Sequence, residues 1–187
     1  TAYHEAGHAI AVKIVSSTDK VDRISIIPSG MAGGYTAHKP DEDKNYHTRN
    51  QLLETIVISL GGRAAEEIVL GEISTGAYGD LKQANGVARN MITRYGMSEN
   101  LGNLIFGNEH DEVFVGRDLG QTKNYSEEVA ATIDREVKSI IDTAYQKAKI
   151  MLGENMEKLH KVAEALIQKE KLEGGEFEEI FNSISHG

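Results

Sequence analysis

Two histidines four residues apart, His4 and His8, flank Glu5 in the opening stretch YHEAGHAIAVKIV, residues 3–15. On an α-helix, positions i and i+4 lie on one face, so both imidazoles can be aimed at one point. This is the H-E-x-x-H arrangement, in which the histidine pair binds zinc and the glutamate is the general base. The residue types suit that chemistry. Neutral imidazole is a good zinc ligand. A catalytic zinc keeps one position for water and brings the pKa of that water to about 7. Glu5, projecting beside the pair, can take the proton and hand it to a leaving amine. The bland alternative is a helix N-terminus whose histidines hydrogen-bond to nearby groups.

Two histidines do not hold a catalytic zinc; a third protein ligand is required. Residues 9–18 contain no histidine, which removes the zincin pattern with a third His close downstream. His38, His47, His110, His160 and His186 are scattered over loops, helix faces and the tail, and read as solvated or hydrogen-bonding residues. Cysteine is absent, so no disulfide forms and a carboxylate is the remaining choice. Two places offer one. Glu66 and Glu67 lie in GGRAAEEIVLG, and Asp80 lies in STGAYGDL. Otherwise one of the two glutamates pairs with Arg63 while the other faces water, and Asp80 is a plain N-cap. Spacing alone does not choose between Asp80 and Glu66.

Periodicity supplies the elements that must position these residues. Residues 1 to about 16 read as a helix rich in Ala, with Ile10, Val12, Ile14 and Val15. VDRISIIP, 21–28, reads as a strand. Pro28, Ser29, Gly30 and the Gly33–Gly34 pair bracket a turn. YTAHK, 35–39, reads as an edge strand ended by Pro40. DEDKNYHTRN is a polar connection. Residues 47–70 form a helix with Leu52, Leu53, Ile56, Val57 and Leu60, interrupted by Gly61–Gly62. That pair either bends the helix or admits another backbone. STGAYGD, 74–80, is a small-residue loop, after which Leu81, Ala84, Ala88, Met91, Ile92 and Tyr95 share one helical side. The segment 96–124 is irregular, with strand-like pieces at LIFG and EVFVG. Residues 125–153 give the clearest helix, N-capped by Ser126, with Glu127 and Glu128 at the positive end of its dipole. An amphipathic helix over 155–169 and a short one around GEFEEIF follow. The fold expected is mainly α: a zincin-like helical unit with a small β-sheet near the N-terminal active-site helix. It forms a single domain over 1–187, with the metal site and sheet in about 1–110 and a C-terminal helical part in about 125–187.

Composition narrows the partners. The net charge of −9, with no block of Lys or Arg, argues against nucleic acid. No apolar run reaches the length of a membrane span and no signal peptide is visible, so the chain reads as soluble. No G-x-x-x-x-G-K-[ST] occurs, so ATP is not bound through a P-loop. The chain starts three residues before the motif without an initiator Met, which reads as a piece of something longer.

Four motifs together resemble the FtsH-type ATP-dependent zinc metalloproteases: YHEAGHA at 3–9, GGRAAEEIVLG at 61–71, STGAYGDLKQA at 74–84 and GRDLGQTKNYSEEVAATIDREV at 116–137. Their order matches, and the similarity covers essentially the whole chain. The resemblance implies one Zn2+ per chain on His4, His8 and Asp80, with Glu5 as base, which resolves the third ligand towards Asp80. Glu66 is left to orient a ligand from behind. Ser74 stands where the family pattern has a Thr, a mild change. The resemblance further implies a membrane-anchored parent whose AAA ATPase module uses ATP, and a homohexamer with protease sites facing an interior chamber. Unfolded or membrane proteins would be threaded in as substrates, and this domain would lie on the cytoplasmic or equivalent organellar side. Within MAGGYTA, Gly33, Gly34, Tyr35 and Thr36 are candidates to pair with an extended substrate, as peptides add to sheet edges; an ordinary hairpin is the alternative. No side-chain oxyanion donor is identifiable, Tyr78 reading as a surface loop residue. Two rivals stand. One is a non-catalytic helical oligomerisation module built on 125–169 with a structural metal closed by four ligands. The other is a metal-dependent amidase for small molecules with a closed pocket.

Overall fold

A computed structural model describes residues 1–40, 46–107 and 124–184. Helix α1, Ala2–Val15, is buried from His4 through Val12, so it has no solvent face over two turns. Its small residues make this possible. Helix α2, Arg49–Leu70, begins in a capping box: the Gln51 amide donates to Thr48 Oγ1 at 3.2 Å and the Thr48 amide donates to Gln51 Oε1 at 2.9 Å. It ends on Gly71 in the left-handed conformation. The Gly61–Gly62 pair leaves α2 continuous and serves close approach. A Cβ on Gly7 of α1 would lie 2.4 Å from the Gly61 carbonyl oxygen and 2.7 Å from Ala65 Cβ.

Gly7→Ala is therefore expected to destabilise the chain by about 2 kcal/mol, because the clash is with backbone and no rotamer relieves it. Gly86→Ala has nothing within 4 Å of the new carbon and is expected to be neutral or to stabilise by up to about 1 kcal/mol through helix propensity. Denaturant titration of the two variants checks the contrast.

The sheet is antiparallel, with strand order β2–β1–β3, formed by β1 (Asp19–Ser25), β2 (Tyr35–Pro40) and β3 (Lys171–Glu173). β1 starts earlier and stops sooner than its alternation suggests. β2 has one neighbour and is an edge, as its sequence indicates. In the middle of the sheet Ile24 is paired with Thr36 on one side and Leu172 on the other. β3 escapes sequence analysis, since three residues are too few to show a period. The strand expected at LIFG is absent: Leu104 and Ile105 are exposed in irregular backbone. EVFVG lies outside the described residues.

Helix α3 spans Tyr78–Thr93, so Asp80 is its third residue rather than its N-cap, which is Ala77. Helix α4, Glu127–Gly153, begins with Ser126 Oγ accepting from the Val129 amide at 3.1 Å and packs on α2 and α3. Helix α5, Met156–Lys169, packs on α1, and the Tyr3 hydroxyl and His160 Nδ1 share a hydrogen bond across that contact at 2.7 Å. Helix α6, Gly174–Asn182, packs on α5 and β1. Ile10, Ile24, Ile56, Leu159, Leu172 and Phe177 sit at the centre of the core. The architecture is mainly α with a small sheet beside α1, as the sequence suggests. No helix among the described residues is long and apolar enough to cross a membrane.

Candidate metal centre

α1 presents His4, Glu5 and His8 from a buried stretch, all three at most 9% exposed. The first turn of α3 brings Asp80 to the same place, 76 residues further on. His4 Nε2 is 2.9 Å from Asp80 Oδ2, His8 Nε2 is 3.1 Å from the same oxygen, and the two Nε2 atoms are 3.1 Å apart. Among the described residues these three form the one group of His, Asp and Glu side chains able to share a metal ion.

The back of each imidazole decides what its front can do. His8 Nδ1 lies 2.8 Å from the Ile58 carbonyl oxygen, which only accepts, so this nitrogen carries the proton. In the neutral ring Nε2 is then a bare lone pair. His4 Nδ1 faces Glu66 Oε2 at 3.4 Å, and the other Glu66 oxygen accepts from Ser74 Oγ at 3.0 Å. Glu66 Oε2 is the single buried side-chain oxygen or nitrogen without a hydrogen-bond partner among the described residues. A carboxylate oxygen behind the ring favours the proton on His4 Nδ1, which leaves Nε2 free in the neutral ring. With both rings neutral, three acceptor atoms thus converge, and a donor appears among them only when a ring takes up a second proton. Only protons or a cation can occupy the space they share.

Charge favours a cation. Burial by itself would lower the His4 pKa, but the hydrogen bond to Asp80 and the negative charges of Glu5, Asp80 and Glu66 outweigh it and raise the value. Burial would raise Asp80; the hydrogen bonds from His4 and His8, with their charges, instead hold its carboxyl well below the usual range. A tetrahedral zinc with bonds of about 2.0–2.1 Å spaces its ligand atoms by about 3.3 Å. The observed triangle is a few tenths of an ångström tighter, so the residues present fit the ion. Beside them lies a cleft of about 900 Å³, lined among others by Glu5, Tyr35, Thr36, Thr55, Ile58 and Tyr78.

The remaining candidates divide. Glu66 is inside the site behind His4, whereas Glu67 turns away and accepts from the Tyr145 hydroxyl of α4, with Lys149 Nζ at 3.5 Å. His38 pairs with Asp19 at 2.5 Å, and His47 is exposed. His110 and His186 lie outside the described residues. Gly33 and Gly34 precede β2 and line the cleft; Tyr35 and Thr36 open the strand. Tyr78 lines the cleft but is 72% exposed. Sequence reasoning missed two contacts. Ser74 holds Glu66, and Thr36 Oγ1 lies 2.8 Å from Glu5 Oε2. The second had a signal, a hydroxyl on the inward side of a strand.

A sequence profile described as Peptidase family M41 matches residues 1–180. The ATP-dependent zinc metalloprotease FtsH of Ruminiclostridium cellulolyticum is 68% identical over 100% of this chain and 30% of its own length. FtsH 1 of Thermoanaerobacter sp. is 57% identical over 97% of this chain and 30% of its own, and FtsH of Thermotoga maritima is 47% identical over the same shares. The chain spans about 30% of the length of these curated relatives.

Proposed function

Since the chain belongs to peptidase family M41, the FtsH-type zinc-dependent proteases, we propose that it is a zinc endopeptidase unit with His4, His8 and Asp80 as metal ligands and Glu5 as general base. The convergence of three acceptor atoms carries this reading. Zinc held there would supply Lewis acidity towards a peptide carbonyl and a water. Glu5, as the base, would take a proton from the attacking water and deliver it to the departing amine. Glu66, held by Ser74, keeps His4 turned with Nε2 forward; the Ile58 carbonyl does the same for His8. The exposed edge of β2, entered through Gly33, Gly34, Tyr35 and Thr36, takes an extended polypeptide by strand addition. Among the described residues three ligands converge rather than four, which favours a catalytic over a closed structural site.

The relatives' name carries ATP dependence, and their greater length leaves room for the machinery that uses it. The parent protein proposed is a membrane-anchored homohexamer whose AAA ATPase module delivers unfolded polypeptide to this single peptidase domain.

Metal content separates the ligand from its support. Asp80→Asn is expected to lose zinc on dialysis under conditions where Glu66→Gln, at a cost of about tenfold in affinity, still holds it. Elemental analysis of the dialysed variants reads this directly, and equal zinc in both rejects Asp80 as ligand. Chelation of the unmodified protein is expected to abolish cleavage of unfolded casein, and added zinc to restore it. Cleavage unaffected by chelation would overturn the reading.

A further inference from the structure

The row Thr36–Ile24–Leu172 crosses the sheet on the face turned to α1. Ile24 and Leu172 are fully buried there. Thr36, the third member, is half-buried, and valine has its shape, so packing at this place does not by itself call for the hydroxyl. The Thr36 hydroxyl is bonded. It lies 2.8 Å from Glu5 Oε2 and 3.0 Å from the Glu5 main-chain oxygen. Among the described residues no other side chain hydrogen-bonds to the Glu5 carboxylate.

We propose that Thr36 is a positioning residue that fixes the Glu5 carboxylate for proton transfer, an inference that rests on the reading of Glu5 as general base. One hydroxyl proton serves one acceptor at a time. While Glu5 is ionised, the charge-assisted bond to Oε2 takes it. When Glu5 carries the proton won from water on Oε1, Oε2 is the carbonyl oxygen of the acid and still accepts from the Thr36 hydroxyl. The same carboxylate oxygen stays tethered through both halves of the transfer, and Oε1 is left to work on the water. A glutamate has three side-chain torsions. Without the tether the carboxylate samples orientations that do not reach the water, and misplacement by about 1 Å can cost about 10²-fold. The edge strand therefore has a second role beside any pairing with substrate: its side chain on the α1 face orients the base.

The test uses Thr36→Val and Thr36→Ser in the full-length, zinc-loaded protein with a short fluorogenic peptide that needs no unfolding. Thr36→Val is expected to lower kcat by about 10–10²-fold and leave KM, zinc content and melting temperature near the parent values. Thr36→Ser, which restores the hydroxyl, is expected to recover most of the loss. Peptide affinity is read separately by fluorescence anisotropy in the Glu5→Gln background, where adding Thr36→Val should change nothing. Unchanged kcat in Thr36→Val overturns the inference while Glu5→Gln remains inactive. A loss confined to KM or peptide affinity also overturns it, placing Thr36 on the substrate instead. An active Glu5→Gln variant removes the underlying reading itself.

Discussion

Glu5→Gln is expected to keep its zinc and to lose peptide hydrolysis by about 10²–10⁴-fold. The two halves of that expectation have different origins. Glu5 is not one of the three atoms that converge, so its replacement leaves the metal-facing set of His4, His8 and Asp80 whole. Glutamine has nearly the volume of glutamate and still offers an amide oxygen to the Thr36 hydroxyl, so the buried position at 6% exposure stays packed. An amide cannot take a proton from water at neutral pH. The variant thus separates binding from chemistry. The check pairs zinc content with single-turnover cleavage. Parent-level cleavage would remove Glu5 as the base, whatever the metal content.

Gly62→Ala is the second large effect, and it acts in the opposite direction. A Cβ on Gly62 would stand 2.5 Å from His4 Nε2, 2.6 Å from Cε1 and 2.7 Å from Cδ2. All three distances are far inside van der Waals contact, so the ring must move. Nε2 is the atom that faces His8 and Asp80, and Nδ1 faces Glu66. No small rotation keeps both sides. Zinc affinity is expected to fall at least as far as on loss of a supporting group, about 10–100-fold, and hydrolysis with it. Stability should suffer less, since alanine gains about 1 kcal/mol over glycine in a helix interior and a side chain, unlike a carbonyl, can yield. Zinc titration together with melting of the metal-free protein tests this. A Gly62→Ala variant with parent zinc affinity would show that His4 does not need its present position.

Much of the site is visible in the bare sequence because its first half is local. His4, Glu5 and His8 need only the helical repeat to be placed. The double glycine declares that something comes close, and Gly7 with the His4 ring turns out to be what comes. Asp80 is different. Nothing local distinguishes it from Glu66, because the two reach the same imidazole from opposite sides, and the resemblance to a known family was required to choose. The alternative reading of Asp80 as a plain N-cap fails for a local reason: the chain enters α3 through a 3₁₀ turn at Thr75–Ala77, which moves the helix start to Tyr78. The role of Ser74 is illegible because serine in loops is common for backbone reasons alone, and Thr36 offers only the weak signal of a hydroxyl on the inward side of a strand, where threonine is common anyway. LIFG shows the converse error: apolar β-formers do not make a strand where no neighbour offers a ladder.

The third strand has a temporal consequence. Leu172 joins Ile24 across some 150 positions of chain, the kind of closure that folding reaches late. Until the ribosome has passed residue 173, β1 lacks one of its two neighbours. The sheet carrying Thr36 is therefore finished only after almost every other described element has been synthesised.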